Sequence, residues 1–312
     1  PAPRPVTRVL RAATRGSALA RWQTDHVASL LRAAHGDLEV EPVVVQTEGD
    51  RRQDVPLDKI GGRGVFVKEV QAAVLDGRAD IAVHSAKDLP SAPELQPAGL
   101  VIACVPERED PRDVLVGSKL DDLPVGGVVA TGSARRRAQL AHLRPDLTFS
   151  DLRGNIDTRL AKARDFDAIV MAAAALIRLG RIDVATEILD ADVMVPQVAQ
   201  GALAIECRAD DTSTIGALHA IEHARSRRAV EAERAYLASL GGGCDLPVGA
   251  YATVDAAGDA ARGVITLTGM LATPDGHSLI RATRTGSDPK ALGHEVASYL
   301  LDGCGGHSFL GR

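Results

Sequence analysis

A chain of 312 residues is long enough for two or three domains, and 45% apolar with 25% charged residues suits a globular protein with a real core. Against 41 acidic side chains stand 36 basic ones, a net charge of −5 that argues against a wholesale nucleic-acid binder or a protein of membrane surfaces. No apolar run approaches the ~18 residues of a membrane helix, and the opening PAPRPVTRVL lacks the apolar centre of a signal peptide, so it reads as a frayed arm on a cytoplasmic protein.

In chain order, RVLRAAT reads as a strand. After the turn at Arg15-Gly16-Ser17, ALARWQTDHVASLLRAA reads as an amphipathic helix with Leu19, Trp22, Val27, Leu30 and Leu31 on its apolar face. EVEPVVVQT is the next strand, VFVKEVQAAVLDG a helix closed by Gly77, and ADIAVHS a buried strand. The polar, glycine-rich stretch from Glu48 to Gly64 reads as a mobile loop that could lie over a site, or as a plain surface loop. The pattern then repeats: GGVVAT is a strand, ARRRAQLAHL a helix, LTFSDLR a strand, IDTRLAKAR a helix, and FDAIVMAAAAL a strand running into a helix. TRGSALA resembles TGSARRR, and RADIAVHSAKDL resembles DFDAIVMAAAAL, which implies two α/β lobes of similar topology. HARSRRAVEAERAYLASL is then a helix leading to GGGC. Three antiparallel strands and the closing helix DPKALGHEVASYLLDG complete a small α+β unit.

The four cysteines, Cys104, Cys207, Cys244 and Cys304, are far apart with no C-x-x-C pair, so neither a metal site nor a disulfide framework is expected. Cys104 and Cys207 lie in apolar strand-like runs and read as buried and inert, and Cys304 as incidental. Cys244 differs: in GGGCDLPVG it is presented on a flexible turn.

Ligands of open α/β sheets bind at the carboxyl ends of strands. Both GS turns, SAKD and LRGN fall at such ends. Arg15 and Ser17 sit at one strand–helix junction, Ser133 with Arg135, Arg136 and Arg137 at another, and Arg153, Gly154 and Asn155 at a third, with Arg159 one turn on. Cations are unfavourable in the first turn of a helix, because the macrodipole is positive there, so such clusters need a compensating anion. Arginine grips carboxylate or phosphate with two parallel hydrogen bonds. A solvated charged face is the alternative for any one of them; three clusters at equivalent ends favour anion binding. Lys87 and Asp88 could form a proton-handling pair; taken alone, Asp88 reads as a turn cap and Lys87 as solvated. His84 reads as a hydrogen-bonded structural histidine, since no second ligand follows at metal spacing. GGRG fails as a dinucleotide or P-loop fingerprint, and no G-x-S-x-G elbow is present.

Taken together, ATRGSALA, TEGD, GGRGVFVKE, ADIAVHSAKDLP, EREDPRDVLV, TGSARRRAQL, LRGNIDTRL, VAQGALAIECR and GGGCDLPVGAYA resemble the porphobilinogen deaminase (hydroxymethylbilane synthase) family over nearly the whole chain. The resemblance implies two periplasmic-binding-protein-like lobes, residues 7–105 plus 201–220 and residues 106–200. A cofactor-anchoring α+β domain would span 221–312, with the active site in the cleft between the lobes. It implies a dipyrromethane cofactor held by a thioether on Cys244. It further implies head-to-tail joining of four porphobilinogen units, each losing ammonia, to give hydroxymethylbilane. Asp88 matches the catalytic aspartate. Lys87, Asp88, Ser133, Arg135, Arg136, Arg153 and Gly154 match cofactor-binding positions, and Arg15, Ser17 and Arg159 substrate-binding ones, with Gln200 in a lesser role. The expected partners are porphobilinogen and polypyrrole intermediates, polyanions that suit the arginines; a monomer acting without nucleic acid or membrane is implied. Arg63 replaces a common lysine, Gly132 a common serine and Ala86 a larger apolar residue. Two lobes with anion-ready helix starts would also suit a solute-binding protein, but such proteins are usually exported and have no use for a presented cysteine. A thiol redox protein needs a resolving partner that the sequence does not show.

Overall fold

A computed structural model describes residues 8–46, 67–241, 246–255 and 262–310. The Glu48–Gly64 loop, Cys244 and Arg63 lie outside the described residues. The chain forms two compact units: the described residues up to Arg108 with Ala202–Arg227, and Glu109–Gly201 with those from Arg228 onward.

The first unit contains β1 (Arg8–Arg15), α1 (Ala18–Ala34), β2 (Leu38–Val45), α2 (Lys68–Leu75), β3 (Ile81–Ser85) and β4 (Leu100–Cys104). The second continues with β5 (Asp113–Gly117), β6 (Val128–Ala130), α3 (Ala134–Leu143), β7 (Thr148–Ser150) and α4 (Ile156–Lys162). It then adds β8 (Ala168–Ala172), α5 (Ala173–Arg178) and β9 (Glu187–Leu189). The chain returns to the first unit as β10 (Leu203–Arg208) and α6 (Thr212–His219). It ends with α7 (Ala224–Ser239), β11 (Val248–Val254), β12 (Ile265–Ala272), β13 (Leu279–Gly286) and α8 (Pro289–Ser298).

The two five-stranded sheets have matching orders, β2-β1-β3-β10-β4 and β7-β6-β8-β5-β9. In each, three strands run parallel and the fourth, β10 or β5, is antiparallel to its neighbour. That fourth strand is the one the chain reaches after crossing between units, so the lobe likeness read from TRGSALA and TGSARRR extends to topology. Parallel strands covered on both faces must be apolar throughout, and β3 and β8 are buried along nearly their whole length. Leu10, Val27, Leu31, Ile81 and Ile205 pack on one face of the first sheet, and Ala13, Val70, Val74 and Ala82 on the other. Each fully buried Leu or Ile contributes roughly 1.5–3 kcal/mol.

α1 has the predicted limits, but its buried stripe is Gln23, Thr24, Val27, Ala28 and Leu31; Leu19, Trp22 and Leu30 are only half-buried. Apolar periodicity misplaces the stripe because the amino-terminal turns of α1 bury polar side chains with local partners. Gln23 Nε2 donates to Ser85 Oγ at 2.8 Å, and Thr24 Oγ1 donates back to the Ala20 carbonyl at 3.1 Å. Cys104 and Cys207 are buried as expected. Burial pushes both thiols up, Cys207 to about 11, so neither is a ready thiolate.

In the second unit the three-stranded antiparallel sheet β11-β12-β13 carries α8, and Tyr236 of α7 packs on its central strand at Gly269. Tyr236 on α7 is fully buried and donates its hydroxyl to the Met270 carbonyl at 2.9 Å. Met270 and Ala272 meet Ala138 of α3 and Val195 in one apolar cluster. Among the described residues no helix is long and apolar enough to cross a membrane.

Candidate active site

In the first unit a cavity of about 70 Å³ opens at the carboxyl ends of β1 and β3. Arg15, Ser17, Gln23, His84, Ser85 and Asp88 line it, with Leu19, Val67 and Val70 as its apolar wall. Ser17 is the N-cap of α1 and its Oγ accepts the Ala20 N–H at 3.3 Å. β3 runs into a short 3₁₀ turn, Ala86–Asp88, held by the Ala86 N–H on the Ala202 carbonyl at 3.0 Å. The turn leaves Asp88 exposed and Lys87 half-buried. Of the residues singled out in sequence, Arg15, Ser17 and Asp88 share this cavity; Lys87 is not among its lining residues. A carboxylate, a guanidinium and hydroxyls facing one recess can hold a ligand that is both an N–H donor and an anion.

His84 lines the cavity from a buried position. Its Nε2 is 3.0 Å from Glu206 Oε2 of β10, with an angle poor for a hydrogen bond, and both side chains are buried. Gln71 Nε2 donates to both Glu206 oxygens at 3.1 and 2.9 Å. His84 is buried as a structural histidine should be, but the hydrogen bond expected of it is not made by Nε2, which has no hydrogen-bond partner among the described residues; the buried carboxylate beside it was not legible in sequence.

In the second unit the start of α3 repeats the arrangement: Ser133 is the N-cap, with Oγ 3.5 Å from the Arg136 N–H. Arg135 and Arg136, however, are buried on Asp113, the first residue of β5. Asp113 Oδ2 accepts Arg135 Nη2 at 2.7 Å, and Oδ1 accepts Arg136 Nη2 at 2.7 Å and Nε at 3.1 Å. Gln200 Nε2 also donates to Oδ1, at 2.9 Å, and to the Pro111 carbonyl at 2.7 Å. Both Nη1 donors are anchored too, that of Arg135 on the Val195 carbonyl and that of Arg136 on the Val170 carbonyl. Burial alone would raise Asp113; the two guanidinium charges and the hydrogen bonds from Arg136 and Gln200 overcome it and hold the carboxyl well below the usual range. Burial also lowers Arg135, against the pull of Asp113.

The anion that sequence inspection demanded at this helix start is thus supplied by the chain itself. Gln200, expected to touch substrate, is fully buried with its amide on Asp113. Two guanidinium groups on one carboxylate still leave an excess positive charge, and Arg135 Nε is buried with no hydrogen-bond partner among the described residues. That excess fits a cofactor bearing carboxylates. Asp113 was missed because EREDPRDVLV offers four acids; the one signal is that Asp113 alone leads directly into the apolar run VLV.

The turn after β7 lies beside that of β6, and Gly132, where a side chain would crowd the Leu152 carbonyl, marks their close approach. Arg153 is exposed there. Gly154 has φ 116°, and a Cβ on it would stand 2.7 Å from Thr158 side-chain carbons, so only glycine fits. Asn155 caps α4 through the Thr158 N–H at 2.9 Å, and Arg159 Nε donates to the Gly154 carbonyl at 2.8 Å. No cluster of metal ligands occurs among the described residues.

Two lobes of one strand order, each with a serine-capped helix and charged side chains at its strand ends, make this a two-lobed α/β protein. Residues 10–216 match the family model described as porphobilinogen deaminase, dipyromethane cofactor binding domain, and residues 227–302 match that family's C-terminal domain. The chain belongs to the porphobilinogen deaminase family. It is 48% identical over 295 residues to porphobilinogen deaminase of Brevibacillus brevis, covering 92% of each chain. To that of Syntrophus aciditrophicus it is 46% identical over 303 residues, covering 95% of this chain and 96% of the relative. Among solved structures, the periplasmic VFT2 domain of Bordetella pertussis BvgS matches at 19% identity with a TM-score of 0.39, over 68% of this chain and 86% of that one.

Proposed function

We propose that this chain joins four porphobilinogen units head to tail, with loss of ammonia from each, to give hydroxymethylbilane, and that Cys244 anchors its dipyrromethane. The observation that carries the reading is the cavity that gathers Arg15, Ser17 and Asp88, on a chain of this family.

When bound, the dipyrromethane supplies a free pyrrole carbon to which the first substrate unit is joined. Lys87 and Asp88 on the first unit, and Ser133, Arg135, Arg136, Arg153 and Gly154 on the second, are the residues that would hold it. Loss of ammonia leaves porphobilinogen as a delocalised cation. The Asp88 carboxylate accepts the pyrrole N–H and stabilises that charge through space; it also takes part in moving the proton lost after coupling. Arg15 holds a substrate carboxylate in the same cavity, with Ser17 adding a hydroxyl, and Arg159 serves the lengthening chain. The excess charge of the Arg135–Arg136–Asp113 cluster, fixed in place by Asp113, meets carboxylates without reorganising.

The domain reading of residues 7–105 plus 201–220, 106–200 and 221–312 belongs to this proposal, as do a monomeric state and a cytoplasmic location. The assay is consumption of porphobilinogen with ammonia and tetrapyrrole measured together. Four ammonia per linear tetrapyrrole is the expected ratio; substrate that binds and is returned unchanged would make this a binding protein.

A further inference from the structure

Glu233 lies on α7, the helix that leads toward Cys244, and is fully buried. Its Oε2 accepts the Ala199 N–H at 2.6 Å and its Oε1 the Ala252 N–H at 2.8 Å. The second bond continues a pairing that the backbone cannot complete. The Ala250 N–H, two residues earlier on β11, meets the Pro196 carbonyl at 3.0 Å. By Ala199 the opposing chain has turned away, and the carboxylate takes over as acceptor.

The cause of that turn is local. Ala199 is the one non-glycine residue with positive φ among the described residues, at 59°, and it is fully buried. A side chain disfavours this region, so the conformation persists only where surrounding bonds impose it. Gly201, two residues on, has φ 84°, and a Cβ there would fall on the Glu109 carbonyl oxygen. Between these two left-handed residues sits Gln200, its amide on Asp113. Asp113 in turn fixes Arg135 and Arg136.

We propose that Glu233 is a positioning residue: it clamps Ala199 in the left-handed conformation, keeps Gln200 on Asp113, and so sets the arginine pair from the helix that leads to Cys244. A carboxylate suits the task because both oxygens accept, whereas a glutamine offers one acceptor for two N–H groups. This rests on the reading that Arg135 and Arg136 meet carboxylates of the substrate or cofactor.

The test compares the wild type, Glu233→Gln and Glu233→Gln/Ala199→Gly in the cofactor-loaded protein. In Glu233→Gln the Cys244 peptide keeps its cofactor mass, and amide hydrogen exchange accelerates in the peptide spanning residues 195–202. KM for porphobilinogen rises roughly tenfold with kcat within about twofold, the pattern of lost binding rather than lost chemistry. Glycine adopts positive φ without strain, so the double variant recovers KM to within about threefold of wild type. A purely structural Glu233 predicts lost thermal stability with KM unchanged in the folded fraction, and that result overturns the proposal. If Glu233→Gln does not fold, Gln200→Asn, too short to reach Asp113, decides: a raised KM supports the proposal and an unchanged one overturns it. A wild type that neither carries the cofactor mass nor consumes porphobilinogen removes the underlying reading and this proposal together, whereas an unchanged KM in an active protein removes this proposal alone.

Discussion

At its strand ends the first lobe exposes Asp88, whereas the second buries Arg135 and Arg136. The helix after the first parallel strand begins at Ser17 in one lobe and Ser133 in the other, and both serines cap the same turn. In the first lobe Asp88 is exposed in a cavity beside Arg15. In the second, Arg135 and Arg136 are 3% and 7% exposed and locked on a fully buried Asp113. One architecture thus carries two kinds of charged site. An exposed carboxylate can follow the charge of a reacting ligand at little structural cost, while a buried ion cluster is a fixed field that the fold depends on.

The largest expected effect separates chemistry from fold. Asp88→Asn should lower turnover by roughly 10²–10⁴-fold, the range for lost proton handling, with the melting temperature unmoved and the cofactor still loaded; near-normal turnover would remove Asp88 from the catalytic role. Asp113→Ala should do the reverse first. It leaves two guanidinium groups buried without their carboxylate and should cost about 3–5 kcal/mol of stability, read as a fall in the urea midpoint.

Acid should act on the same cluster. The Asp113 carboxyl is held below its ordinary value in the folded protein. Its stabilisation is therefore complete above the unfolded carboxylate pKa of about 4 and is lost as pH falls through the lower folded value. Urea midpoints of the wild type should decline steeply below about pH 4, and Asp113→Ala should lack part of that slope; identical slopes would mean other carboxylates account for it. The smallest effect is the matched one. Ser17→Ala and Ser133→Ala should each cost about 0.5–1 kcal/mol, since both caps are long at 3.3 and 3.5 Å. A clear inequality in thermal melts would break the equivalence of the two helix starts.

Much of this arrangement is legible in sequence because it is local. Ser17 and Ser133 announce their helices, and alternating strand and helix periods place Asp88 and the arginines at strand ends. What sequence hides is long-range. Nothing local pairs Asp113 with Arg135, or Glu206 with Gln71 and His84; those partners meet only once β5 and β10 have entered sheets built largely from other parts of the chain. The rotated stripe of α1 has a related cause, since Gln23 earns its burial from Ser85 on β3. The need for an anion at the start of α3 was readable from the macrodipole; that the fold supplies one of its own was not.

The central claim is that Cys244 anchors the growing product, and peptide mass mapping across Gly241–Gly249 tests it most directly. The account predicts a mass excess equal to two linked pyrrole rings on the Cys244 peptide, either as purified or after incubating the apoprotein with porphobilinogen. A Cys244 peptide that stays unmodified through that incubation, in a folded protein, would contradict it.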